Sequence, residues 1–193
     1  MNQESKEKTE DNTIEKATLA GGCFWCLEAI FSKINGIHQV VSGYTGGITN
    51  SPSYESVCTG NTGHAEAVQL TYDPQCISYK QILEIFFDIH DPTTLNRQEA
   101  DIGSQYRSAI FYHNNEQREA AKEMIHKLDT AQKWRNPIVT EINPLKNFYP
   151  AEEYHHKYFE RNPEQAYCRL VINPKLNKLR EEHRSKMSRS SAC

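Results

Sequence analysis

No run of apolar residues approaches transmembrane length, so a membrane-spanning helix is excluded. No charge of one sign dominates: 22 Lys and Arg stand against 25 Asp and Glu, a net charge of −3. A basic face for nucleic acid or an anionic membrane is therefore not expected, and neither is such a partner. Neither G-x-G-x-x-G nor G-x-x-x-x-G-K-[S/T] occurs, so two common glycine-rich phosphate cradles are missing. No internal repeat is evident. Hydrophobic residues make up only 37% of the chain, and the polar ends explain part of that low figure. Met1 to Ile14 is almost wholly polar and lacks the apolar stretch of a signal peptide. Residues 1–15 are expected to be a disordered arm, and the protein cytoplasmic.

A second close cysteine pair is also missing. Of six cysteines, only Cys23 and Cys26 lie near one another in sequence. A structural zinc site usually wants two such pairs, and the adjacent His155-His156 would point apart on a helix, so no metal is expected. In a reducing compartment the cysteines read as catalytic or inert rather than as a disulfide framework. Cys58, in a packed loop, and Cys76, at a turn, read as structural.

What is present is organised around Gly21-Gly22-Cys23-Phe24-Trp25-Cys26. A short apolar strand, Ala17–Ala20, enters it, and Phe24, Leu27, Ile30, Phe31 and Ile34 leave it at helical spacing. The glycines permit a tight strand-to-helix turn, which puts Cys23 at a helix start. The positive end of the helix dipole biases a thiol there toward thiolate. Phe24 and Trp25 form a small apolar cage suited to a methyl or thioether end. The ordinary alternative is a buried cysteine at a glycine turn with two core aromatics.

Strands are expected at Ile37–Gly43, His64–Tyr72, Tyr106–Tyr112 and Ile138–Ile142, and helices at Tyr79–Ile89, Asn115–Trp134 and Ala151–Glu160. Ser78 with Gln81 reads as a capping box. The connection from Tyr44 to Gly63 is long enough to be functional, and its tyrosines and Cys58 argue against disorder. Order β-α-β-β-α-β over residues 17–112 predicts an α+β domain with a ferredoxin-like split β-α-β core. Helices pack on a mixed or antiparallel sheet, followed by a long irregular C-terminal segment. The catalytic domain is placed at 16–176 and a basic polar tail at 177–193, the tail reading as a solvated or helical face.

Three further positions draw notice. Glu66 shares one strand face with His64 and Val68; if that face is buried, its carboxyl titrates high and stays protonated. Tyr106 and Asp101 flank a loop-to-strand junction, and Tyr54 sits in the long connection. Each alone has an ordinary explanation: an exposed strand Glu, a core aromatic, a loop-packing tyrosine. A thioredoxin-like dithiol oxidoreductase would explain the Cys23-x-x-Cys26 pair, but not Glu66, Tyr54 or Tyr106.

The combination resembles the A-type peptide methionine sulfoxide reductases over roughly residues 17–176. The matching segments are GGCFWC at 21–26, GYTGG at 43–47, SYESVCTGNTGHAEAV at 53–68, HDPTTLNRQ at 90–98, D-x-G-S-Q-Y-R-S at 101–108, FYPAEEYHHKYF at 148–159 and YC at 167–168. The resemblance implies reduction of the S epimer of methionine sulfoxide, free or in proteins, without a cofactor. It makes Cys23 the nucleophile and Glu66 the acid on the sulfoxide oxygen. Tyr54 and Tyr106 become hydroxyl donors, Asp101 an orienting residue, and Phe24 and Trp25 the methyl pocket. A sulfenic acid on Cys23 would condense with a second thiol, and thioredoxin would reduce the disulfide. A monomer is expected. The chain departs from the family where Glu99-Ala100 replace a common Gly-Asn just before Asp101, and it lacks the glycine-rich two-cysteine tail of some members.

Cys168, in a segment read as irregular and mobile after Pro163 and matching the family's recycling Tyr-Cys, is expected to resolve the sulfenic acid first. Cys26 comes second: it lies one helical turn from Cys23, and pairs at a helix start do form disulfides. Nothing around Cys193 favours a further exchange there.

Overall fold

The computed structural model describes residues 14–187. Most of the expected N-terminal arm, the end of the expected tail and Cys193 lie outside the described residues. The arm's last position, Glu15, opens the first strand.

In chain order the elements are β1 (Glu15–Gly21), α1 (Phe24–Phe31), β2 (Ile37–Thr45), α2 (Tyr54–Cys58), β3 (Ala65–Tyr72), α3 (Tyr79–Ile89), β4 (Arg97–Gln98), β5 (Asp101–Ile102), β6 (Ser108–Tyr112), α4 (Asn115–Thr130), β7 (Glu141–Pro144), β8 (Phe148–Pro150), α5 (Tyr158–Arg161) and α6 (Asn173–Glu182). Six strands form one sheet in the order β7-β6-β1-β3-β2-β8. Its centre, β6-β1-β3-β2, is antiparallel throughout and is the split arrangement read from the sequence. β7 joins parallel to β6, which makes the sheet mixed. The α+β class holds.

Alternation along the strands sorts the two faces. Leu19, Val68, Leu70 and Ile110 join the helices in the main core. The opposite face carries mostly small side chains, Ala20, Ala65, Ala67 and Ala109, around Phe111. The long connection approaches Phe111 closely at Gly46, whose φ is +83° and where a Cβ would come within 2.7 Å of the Phe111 ring. His64 orders this connection: its Nδ1 accepts the Gly47 N–H at 3.1 Å, and its Nε2 lies 2.7 Å from the Thr49 carbonyl.

α3 has the bounds read from the sequence. Ser78 Oγ accepts the Gln81 N–H at 3.2 Å, and Gln81 Oε1 accepts the Ser78 N–H at 2.9 Å. Elsewhere boundaries move. α4 stops at Thr130 rather than near Trp134, and the following strand starts at Glu141 rather than Ile138. Tyr106 lies in a 3₁₀ turn, Ser104–Tyr106, before β6 rather than on it. The helix expected over Ala151–Glu160 is two separate turns, Glu153–His155 and α5. The break falls at Lys157, whose φ is +54° and whose N–H donates to buried Glu28 of α1 at 2.8 Å. A tertiary bond therefore decides a local conformation.

The C-terminal segment is irregular, apart from short turns and β8, only as far as Tyr167. Cys168–Ile172 forms a π-helical turn that runs into α6, where Pro174 stands in the first turn. Cys168, Ile172, Leu176 and Leu179 fall on one helical stripe and are buried in the main core. The expectation of an irregular, mobile segment around Cys168 is corrected by this packing. α6 also runs across residue 176, where the catalytic domain was expected to end. Beyond it the Asn35 N–H donates to the Lys186 carbonyl at 2.8 Å.

Candidate active site

Cys23 is the N-cap of α1, held where β1 turns into the helix. The turn runs through Gly22 at φ +91°, and a Cβ there would meet the Gln98 side chain at 2.7 Å. The Cys26 N–H donates to the Cys23 carbonyl at 3.1 Å, which sets the second cysteine one turn along the helix. Cys23 is 8% exposed, and burial pushes its thiol well above the ordinary range; the neighbouring Cys26 and Glu66 act in the same direction. The thiolate bias expected from the helix start is thus corrected: desolvation outweighs the partial charge of one short helix. Cys26 is drawn the other way, chiefly by the neighbouring Cys23 thiol, with Lys175 assisting against burial.

Glu66 enters from β3, beside the turn. It is 1% exposed, and its Oε2 accepts the Phe24 N–H at 3.0 Å. Burial pushes its carboxyl up to about 8, with the charges of Asp101 and Cys26 adding to the effect. The hydrogen bond from the Phe24 N–H and the neighbouring Cys23 thiol only partly offset this. At neutral pH the carboxyl is therefore mainly protonated beside a sulfur, which is an acid poised for donation.

Tyr54 and Tyr106 come from α2 and from the 3₁₀ turn, and both lie within electrostatic reach of Glu66. Burial first, then Cys58 for Tyr54 and Glu66 for Tyr106, push both phenols above their usual range, so they remain donors. Tyr54 is placed by Glu152, whose Oε1 accepts the Tyr54 N–H at 2.7 Å while its Oε2 accepts the Tyr44 hydroxyl at 2.7 Å. Asp101 opens β5, and its Oδ2 accepts the Tyr167 hydroxyl at 2.7 Å.

Trp25 is partly exposed. Its ring stacks on Tyr158 at 3.7 Å, and its indole N–H donates to His155 Nδ1 at 3.1 Å. Phe24 is wholly buried against Tyr44 and His155, so its ring packs behind the site. A cavity of about 530 Å³ lies elsewhere, between the outer face of α1, the start of β2 and residues 153–160. None of Cys23, Glu66, Tyr54 or Tyr106 lines it.

The structure thus brings together Cys23, Cys26, Glu66, Tyr54, Tyr106 and Asp101 from five parts of the chain. Cys168 is wholly buried and within electrostatic reach of Cys26. Sequence reasoning passed over Tyr167, whose hydroxyl lies 3.7 Å from Cys26 Sγ as well as on Asp101. It also passed over Glu152 and His155. In the Tyr-Cys pair at 167–168 only the cysteine carries a signal in the sequence.

A family description, peptide methionine sulfoxide reductase, matches residues 15–188. The peptide methionine sulfoxide reductase MsrA of Polynucleobacter asymbioticus is 51% identical over 181 residues, covering 93% of this chain and 95% of that one. Among solved structures, Mxr1 from Saccharomyces cerevisiae in reduced form superposes with a TM-score of 0.75 at 38% identity, over 83% of this chain and 92% of that one. Mxr1 in complex with Trx2 matches with a TM-score of 0.53 at 28% identity, over 79% and 90%.

Proposed function

This chain belongs to the peptide methionine sulfoxide reductase family, and from that premise we propose that it reduces the S epimer of methionine sulfoxide through Cys23 and Glu66. It is an oxidoreductase of methionine sulfoxide; the residue roles are what the geometry supports. The observation that carries them is Glu66, 1% exposed and accepting the Phe24 N–H at 3.0 Å, directly beside the Cys23 turn.

A sulfoxide sulfur becomes electrophilic when its oxygen is protonated or strongly hydrogen-bonded. Glu66 supplies that proton, and the Tyr54 and Tyr106 hydroxyls hold the oxygen. Cys23 sulfur attacks, the oxygen passes to it, and methionine leaves. The substrate sulfur gains two electrons and Cys23 becomes a sulfenic acid; the Cys23 thiol proton replaces the one Glu66 gave. Trp25 receives the substrate methyl, with Phe24 behind it. Asp101 orients the site through Tyr167.

Of the two resolving candidates, Cys26 acts first, because it lies one turn along α1 from Cys23, its N–H on the Cys23 carbonyl at 3.1 Å. Cys168 follows, since its buried place at the start of a helical turn must open before it can reach a sulfur. This reverses the order read from the sequence. Water leaves as the disulfide forms, and a thioredoxin-type dithiol restores both thiols. The complex of Mxr1 with Trx2 favours that kind of partner. Free and protein-bound methionine sulfoxide are the substrates, no cofactor is required, and the enzyme acts as a cytoplasmic monomer. Among the described residues no helix is long and apolar enough to cross a membrane.

The test is single-turnover methionine formation from separated epimers, followed by peptide mapping without reductant. Wild type should consume the S epimer alone, Cys23→Ser neither, and Cys168→Ser should still form a Cys23–Cys26 linkage. Equal turnover of both epimers refutes the stereochemical reading, and a Cys23–Cys168 linkage in wild type refutes the order.

A further inference from the structure

Glu99 has a left-handed backbone, φ +55°, at the turn joining β4 to β5, although it is not glycine. Its Oε1 lies 3.4 Å from Lys175 Nζ. Lys175 stands in the first turn of α6, and its side chain is only 13% exposed. α6 packs against α1, the helix that carries Cys26, and the Lys175 charge favours the Cys26 thiolate and disfavours protonated His90 just after α3. Two residues beyond Glu99, Asp101 takes the hydroxyl of Tyr167, which also touches Cys26. The small hairpin is therefore fastened to the C-terminal segment by both Asp101 and Glu99.

We propose that Lys175, held in place by Glu99, is a positioning residue that keeps Cys26 ready as the second nucleophile and as the leaving sulfur when the disulfide is reduced. The proposal rests on the reading of Cys26 as the resolving thiol. In the first role the Cys26 thiolate attacks the Cys23 sulfur; the S–S bond forms, the S–O bond breaks, and hydroxide leaves as water with the Glu66 proton. In the second, an external dithiol attacks Cys23, the S–S electron pair passes to Cys26, and the nearby ammonium stabilises that thiolate. A better-stabilised thiolate leaves faster, so the mixed disulfide forms on Cys23. The other groups acting on Cys26 or acted on by it are Cys23, Tyr167, Asp101, Glu66 and Cys168, all neutral or acidic, and Lys175 is the cation among the described residues that acts on it. A fixed positive charge is the ordinary means of holding a thiolate.

The test compares Lys175→Gln, Lys175→Arg and Glu99→Gly in the full chain. The first readout is the pH profile of Cys26 alkylation by iodoacetamide, resolved by peptide mass and measured in a common Cys23→Ser background. Lys175→Gln should shift the profile upward and slow alkylation at pH 7 about tenfold, the consequence of about one pH unit. Lys175→Arg should restore it. Glu99→Gly, which suits the left-handed backbone, should shift the profile the same way by a smaller factor as Lys175 swings outward. The second readout, in chains retaining Cys23, is dimedone-trapped sulfenic acid during a single turnover; Lys175→Gln should slow its loss about tenfold relative to methionine formation. An unmoved Cys26 profile in Lys175→Gln overturns the proposal, and faster alkylation in Glu99→Gly overturns the positioning role of Glu99. A moved profile with an unchanged sulfenic acid lifetime upholds the hold of Lys175 on Cys26 and refutes instead the reading that Cys26 resolves.

Discussion

Glu66 joins stability to chemistry through one proton. Burial raises its carboxyl from 4.5 to about 8. Between those values the folded chain binds more protons at this site than the unfolded chain does. Stability therefore falls as pH rises across that window, by on the order of 3–5 kcal/mol. Glu66→Gln keeps an acceptor for the Phe24 N–H and carries no charge to bury. Its melting temperature should exceed that of wild type at pH 9, and the two should converge near pH 4. The same variant should slow single-turnover methionine formation about 10²–10⁴-fold, because an amide cannot donate the proton. In wild type that step should decline as pH rises through about 8, and in Glu66→Gln this limb should vanish. A variant as fast as wild type would place the proton donor elsewhere.

α2 shows how a short element is made to hold a functional group. Five residues cannot form a stable helix alone. Ser53 caps it reciprocally with Ser56, and Glu152 clamps its first N–H to the Tyr44 hydroxyl. Hydrogen bonds to charged groups contribute roughly 1.5–3 kcal/mol each. Glu152→Ala should thus lower unfolding free energy in urea by about 2 kcal/mol and reduce kcat/KM for the sulfoxide through misplaced Tyr54. Unchanged kcat/KM would separate Tyr54 from the chemistry. At α3 the capping box is purely structural: Ser78→Ala should cost about 1 kcal/mol, a fall of roughly 2–4 °C in melting temperature. Sulfoxide turnover at 25 °C should be unaffected.

Across the whole molecule, the C-terminal helix closes the site from behind. Leu176 and Leu179 are buried in the same core as α1, and Cys168 and Tyr167 lie directly upstream of that packing. Leu179→Ala should destabilise the protein by about 2–5 kcal/mol, the range for a buried leucine truncated to alanine. Denaturation followed by Trp25-sensitive fluorescence and by far-ultraviolet dichroism should shift together. A loss under about 0.5 kcal/mol would return residues 177–187 to the status of a tail.

Local rules alone determined the parts of this protein whose signals are local. The β-α-β-β-α-β order, the bounds of α3 and its capping box follow from periodicity and caps, which act within a few residues. Gly22 beside Cys23 announced the turn because only backbone freedom permits it. Glu66 was legible conditionally: its strand face could be read, but not whether that face was covered. Tertiary structure decided the rest. It covered Glu66 and so set its proton, buried Cys23 and cancelled the helix-start bias, and broke the helix expected at 151–160 where Lys157 reaches Glu28. It also brought Tyr167 to Cys26 from 141 positions along the chain, and Lys175 to Glu99 from 76. Desolvation and Coulomb interaction depend on distance in space, and no pattern along the chain records that distance.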